Sequence, residues 1–246
     1  MQISKLLQNS CLVFCLFANR QHHCILKSIV NYAVSHNVQC LQIRVISDIQ
    51  HFPTCLFSCK TLTSLNLSVL HPNHFEQNIF PSSLDLPALT NLYLRYFVFR
   101  VGNNGRAEPF SAFKNLNSLI INNCAVLDEQ NLCISSSTLA NLTLQIRQNQ
   151  YGKIKLSTPN LGTFVLFGIG DVPVLKQCRS KTNLSSVKHA DIDVIMCSDY
   201  ANHYPSVLFN LLVQLSDIKS LTISSRALEV LEVMFGCFIF TSNYFS

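Results

Sequence analysis

The carboxylates Asp191 and Asp193, the imidazoles of His71 and His74, and two cysteine pairs are the side chains of this 246-residue sequence whose spacing could do chemistry. Asp191 and Asp193 alternate with Ala190, Ile192 and Val194. On a strand, that spacing sends both carboxylates to one face with Cα atoms about 6.6–6.8 Å apart. Paired carboxylates hydrolyse glycosides, but they do so from two sides of a cleft. Two neighbours on one strand are instead expected to be solvated charges on a rim, and a hydrolase using this pair is the third reading, behind two developed below. His71-Pro-Asn-His74 has a spacing that suits a metal, yet it lies in a loop with no third ligand nearby, so a solvated loop is expected.

The eleven cysteines include the C-x-x-x-C pairs Cys11/Cys15 and Cys55/Cys59 and no C-x-x-C. Zinc needs four ligands, and no matching His or Cys pair follows either one; reduced cysteines serving as small hydrophobes are expected. The glycine-containing stretches "GNNG" (102–105) and "GIGD" (168–171) lack the glycine spacing and the Lys-Ser/Thr of a phosphate loop. No serine stands in a G-x-S-x-G context. The sequence therefore predicts no catalytic residue, no metal and no cofactor, and it is not read as an enzyme.

Apolar residues make up 48% of the chain and charged ones 13%, the balance of a chain that buries a core rather than of a disordered one. The net charge of +5 is spread thinly, with no basic run and no aromatic–basic interleaving, so no nucleic-acid partner is expected. Residues 11–18, "CLVFCLFA", have the look of a short signal-peptide core without a cleavage site after it. The stretch "VMFGCFIFT" (233–241) falls well short of the roughly 20 residues of a spanning helix, so no membrane partner is expected either. A cytoplasmic or nuclear protein follows from both points. Three glycosylation sequons begin at Asn66, Asn141 and Asn183, two of them on predicted strands where a glycan would be awkward.

What must position any of these side chains is a repeat. "NLNSLIINNC" (115–124) has close relatives in "TLTSLNLSVL" (61–70), "ALTNLYLRYF" (88–97), "TLANLTLQIR" (138–147) and "DIKSLTISSR" (217–226). Leu116-x-x-Leu119-x-Ile121-x-x-Cys124 fits the whole leucine-rich-repeat pattern. The L-x-L portion is a short strand with two apolar residues on one face, which can be covered only by a neighbouring copy. Alignment on its first apolar residue gives Leu41, Leu65, Leu92, Leu119, Leu142, Phe164 and Leu221. The last interval, 57 residues, is too wide for one turn, and "LSSVKHADIDVI" (184–195) supplies the missing strand through Ala190, Ile192 and Val194. Val187 has the wrong parity for that strand, so a bulge or shifted start is expected there. Pro87 and Pro159, each five residues before an aligned position, are placed where a strand begins.

Helices are expected at the ends. Leu26, Ile29, Val30, Ala33 and Val34 form one stripe, Val207, Leu208, Leu211, Leu212 and Leu215 another, and "SRALEVLEV" reads as a third helix. The connections between middle strands are long and polar, so short helical turns or loops are expected on the convex side. The fold class predicted is α/β: a leucine-rich-repeat solenoid, a curved horseshoe with parallel strands on its concave face. Residues 25–232 would form it, with atypical apolar segments at 1–24 and 233–246.

The ordered set "LKSIVNYAVSHNVQCLQIRV" (26–45), "LPALTNLYLRYFVF" (86–99), "LSTPNLGTFVLFG" (156–168), "NLSSVKHADIDV" (183–194) and "DIKSLTISSRALEVL" (217–231) resembles plant F-box/leucine-rich-repeat proteins, the group often ending in an FBD domain. The resemblance covers roughly residues 25–232. It implies leucine-rich repeats that capture a substrate protein for a cullin-type ubiquitin ligase. Residues 1–24 are too few for the F-box that would dock on the ligase adaptor, and the FBD region is missing, so adaptor binding is expected only if an F-box exists in the full gene product.

The first reading is thus a protein-interaction module. Its partner-binding residues are the outward ones of each strand: Gln42 and Arg44, Asn66 and Ser68, Tyr93 and Arg95, Asn122, Thr143 and Gln145, Val165 and Phe167. The second reading is a truncated or partner-dependent fragment of such a protein. If the register is right, Leu119→Ala should destabilise strongly and Asn122→Ala hardly at all.

Overall fold

A computed structural model describes residues 11–16, 23–46, 52–69, 78–81, 84–147, 151, 153–169, 175–177, 184–195, 204–215 and 217–232. In chain order the elements are β1 (Cys11–Leu16), α1 (His23–Ser35), β2 (Cys40–Val45), β3 (Ser64–Val69), β4 (Asn91–Arg95), β5 (Val98–Phe99), β6 (Arg106–Ala107), β7 (Ser118–Asn122), β8 (Ala125–Val126), β9 (Asn131–Ser135), β10 (Asn141–Arg147), β11 (Ile154–Ser157), β12 (Thr163–Ile169), β13 (Leu175–Gln177), β14 (His189–Ile195), α2 (Tyr204–Gln214) and β15 (Ser220–Ile223). Residues 225–232 are helical as well. The architecture is mixed α/β, with few helices, one large parallel sheet and no closed barrel.

Nine strands make that sheet in the order β1-β2-β3-β4-β7-β10-β12-β14-β15, each pairing parallel with the next. The register is the one the repeat demands. Leu41, Leu65, Leu92, Leu119, Leu142, Phe164, Ala190 and Leu221 stand side by side across eight strands. From Leu41 to Ala190 all of them are buried, and so are Ile43, Leu67, Leu94, Ile121, Leu144, Leu166 and Ile192 two residues on. Each strand alone offers one apolar face, and only a neighbour in register removes it from water, at about 1.5–3 kcal/mol per fully buried Leu or Ile.

Two further sets of contacts hold the register. The leucine three residues before each aligned position (Leu62, Leu89, Leu116, Leu139, Leu161) is buried in the turn that precedes the strand. Val187 occupies this place before Ala190 and is fully buried, with its N–H on the Leu184 carbonyl at 3.0 Å. Of the two expected alternatives there is no bulge but a shifted start: β14 begins at His189, and Val187 belongs to the turn before it, where strand parity does not apply. The prolines belong to these turns too. Leu89 donates to the Leu86 carbonyl and Leu161 to the Thr158 carbonyl, which puts Pro87 and Pro159 at the second turn position, where a fixed φ is preset. In addition, one carbonyl per turn accepts two consecutive N–H groups from the following turn. Gln39, Thr63, Thr90, Asn117, Ala140, Gly162 and Lys188 form this column, with N···O distances of 2.7–3.1 Å.

The other side of the molecule departs from expectation in part. Short helical turns do occur there, at Thr54–Ser58 and Leu127–Glu129, but the middle turns also carry strands: β13, β11, β9 and β6 pair as a second parallel sheet, and β5 pairs with β8. Short alternating segments such as "IKLS" bury Ile154 and Leu156 and leave Lys155 and Ser157 outward, a two-residue period that favours a strand. Phe80, Phe97, Phe99 and Phe110 fill the corner beneath β5, with T-shaped ring pairs at 5.4–5.8 Å. Helices do occur at the ends. Helix α1 buries Leu26, Val30 and Ala33, α2 buries Leu208 and Leu211, and the Ser224 Oγ accepts the Ala227 N–H at the start of the last helix. The stretch expected to be an atypical N-terminal segment contributes β1, with Leu12 buried opposite Leu41. At the far edge Leu221 keeps the register but is 42% exposed.

Candidate functional site

Strand alternation that buries the leucines turns the intervening residues to the open face of the large sheet. Register sorts them into two rows. One runs Val13, Gln42, Asn66, Tyr93, Ile120, Thr143, Val165, Asp191, Thr222; the other runs Arg44, Ser68, Arg95, Asn122, Gln145, Phe167, Asp193. All eleven residues expected to bind a partner fall in these rows. Asp191 and Asp193 also do: they continue the rows past Val165 and Phe167, so they lie in the face and not on a rim. Alignment on Ala190 already fixed their direction, and that was the signal available in the sequence. Ile120 was legible in the same way.

The second row lines a trough of about 340 Å³ at the C-terminal ends of β4, β7, β10, β12 and β14. Arg95 stands at one end, Asp193 at the other, with Asn122, Gln145 and Phe167 between them and Arg147 on the flank. Arg95 is held by its neighbour: its Nη2 donates to the Tyr96 hydroxyl at 3.1 Å, and the guanidinium lies 4.8 Å from the Tyr96 ring centre. That arrangement depends on Tyr96 taking φ = 63° directly after β4. Asn123 repeats the conformation after β7 with φ = 48°, and the two left-handed residues turn the chain out of the large sheet.

Two of the expected contact residues are not free to make contact. Ser68 is 1% exposed, flanked in register by Arg44 and Arg95, and offers no surface. Asn122 is 9% exposed, and its Nδ2 donates to the Tyr93 hydroxyl at 3.0 Å and to Gln145 Oε1, so it braces two neighbours. The near-neutral effect expected for Asn122→Ala is therefore revised below. Gln42, Asn66, Tyr93, Arg95, Thr143, Gln145, Val165 and Phe167 are half-buried, and Arg44 is exposed.

Several polar atoms of the trough have no hydrogen-bond partner within the chain although water does not reach them: Arg95 Nε, Asn123 Oδ1 and Asp193 Oδ1. Among the described residues the one ion pair is Lys60–Asp85, so the arginines of the face are not paired with Asp191 or Asp193. A second hollow of about 410 Å³ lies away from this face, beside the loop at 102–105, where Arg100 and Arg106 share the wall with Glu108.

Among the described residues, no group of three His, Cys, Asp or Glu side chains is placed to hold a metal, and no helix is long and apolar enough to cross a membrane. His71, His74 and the sequon at Asn183 lie outside the described residues. Cys11, Cys24, Cys40, Cys55, Cys59 and Cys124 form no disulfide, and Cys59, Cys124 and Cys133 are buried. Cys124 fills the last place of the repeat pattern, where its Sγ donates to the Leu94 and Asn122 carbonyls at 3.5 and 3.6 Å. Burial pushes its thiol up to about 12. Burial likewise raises the Tyr151 phenol well above its ordinary range, and nearby Cys124 adds to the shift.

No protein-family model matches this chain, and no curated protein or solved structure matches it either.

Proposed function

We propose that the chain is a leucine-rich-repeat solenoid that binds a protein on the open face of its nine-stranded sheet, in the manner of the substrate-capturing region of a plant F-box protein. The observation that carries this reading is the pair of in-register rows ending in a trough whose charged side chains, Arg95, Arg147 and Asp193, have no ion-pair partner among the described residues. Charges held on one half-buried face without a counter-charge suit a surface completed by something else. Supporting it further, the face mixes Tyr, Phe and Arg with short polar residues, the composition favoured at interaction hot spots. A reducing compartment, cytoplasm or nucleus, fits Cys59 and Cys124, which are buried and form no disulfide. On this reading the partner is a ubiquitin-ligase substrate, and the ligase adaptor binds an F-box and not these rows.

Affinity purification with the wild-type chain and with a Tyr93→Ala/Phe167→Asp variant tests the proposal. A defined set of proteins should co-purify with the wild type and be lost with the variant, whose circular dichroism and melting temperature stay near wild type. Recovery of the same set with a folded variant would mean that binding occurs elsewhere.

A further inference from the structure

Resting on that reading, we infer that the trough selects an extended segment with an acidic residue at one end, a basic residue six positions away and an apolar residue two positions from the basic one. Arg95, Asn122, Gln145, Phe167 and Asp193 are neighbours on five consecutive strands, so Arg95 and Asp193 are separated by four strand spacings, about 19 Å. An extended chain rises about 3.3 Å per residue, which makes that distance about six residues. Phe167, three spacings from Arg95, then falls about four residues along, opposite the fifth position. Residues one, three, five and seven of an extended segment share a face, so the acidic, apolar and basic positions all point into the trough together.

The chemistry at each end is set by charge that no described residue pairs. Arg95 is half-buried, its guanidinium fixed against Tyr96. A carboxylate on its accessible side makes a charge-assisted pair, and exposed Arg147 adds positive potential nearby. Asp193 is half-buried too, and Asp191 stands two residues before it on the same face. An ammonium or guanidinium pairs with that end. Between them Gln145 is half-buried and offers an amide, while Phe167 and Val165 offer apolar surface. A segment with two like charges leaves one end unmet and places like charges together at the other, which is how the trough discriminates.

A heptapeptide, acetylated and amidated at its ends, with aspartate first, leucine fifth and lysine last, should bind the wild-type chain in a fluorescence-anisotropy titration. Replacing its lysine by glutamate should weaken binding by about tenfold or more, and Asp193→Lys should reverse that preference. Equal affinity for the two peptides, or an unchanged preference in a folded Asp193→Lys variant, overturns the inference. Selection from a random heptapeptide display library, counter-selected on Phe167→Asp, separates this from the wider reading. Enrichment of acid–basic pairs six apart, in either chain direction, supports it. Phe167-dependent peptides without that pair overturn the charge rule and leave the binding face standing, whereas no Phe167-dependent peptide at all removes both.

Discussion

Leu119 and Asn122 stand three residues apart on β7; both are buried, for different reasons. Leu119 is fully enclosed between Leu92 and Leu142, and Leu119→Ala should destabilise by about 2–5 kcal/mol in urea titrations. Asn122 lies on the other face, where its amide ties Tyr93 to Gln145. Its replacement by Ala should now be destabilising by about 1–2 kcal/mol, and should loosen Tyr93 as well. Cys124 gives a pH signature. In the native chain its thiol titrates near 12, and in the unfolded chain near 9.0. Below pH 9 both states hold the proton and its contribution to stability is complete. As pH rises from 9 towards 12 only the unfolded chain releases it, so stability falls. Urea midpoints should drop over that window, and more shallowly in Cys124→Ala, with Tyr151 retaining a share of the slope.

Among the elements, the turns after β4 and β7 are the most sensitive to residue type. Asn123 sits at φ = 48°, so Asn123→Gly should be close to neutral while Asn123→Val should lower stability by about 1–2 kcal/mol, measured by thermal melts. Strand positions differ along the sheet. Leu142 and Leu221 share the register, yet Leu221 lies on the last described strand and is exposed. Leu221→Ala should change stability by less than about 1 kcal/mol, against about 2–5 for Leu142→Ala. The strands of the large sheet from β2 to β15 were legible in the sequence because one period recurs with its apolar residues in fixed places, and even the weak copy around Ala190 could be found from the gap it had to fill; β1, which carries no repeat phrase, was not. Strands β9 and β11 were not legible. Each has only four or five residues with no repeat phrase, and nothing local tells a short strand from a loop until a neighbouring turn pairs with it. The aspartates show the same limit: their direction was readable, but their place in a continuous row depended on register with Phe167.

On the scale of the whole molecule, strand order follows chain order, so every turn touches chiefly the turn before it and the turn after it. Protection against amide hydrogen exchange should therefore be graded, highest in β7, β10 and β12 and lowest in β15, whose described residues pair on one side with β14. The column of doubly accepting carbonyls has a consequence of its own. Its members include Gln39, Thr63, Asn117, Ala140, Gly162 and Lys188, which have no side-chain chemistry in common, because the recurring pair of bonds is made by backbone; the Thr63 and Thr90 hydroxyls only add a third donor, to the Gln39 and Thr63 carbonyls. A lineage could thus lose or duplicate one whole period, such as 117–139, and the flanking turns would find each other again through the same atoms. A cut of half a period would instead set polar turn residues where the leucines stack, and the halves could not rejoin.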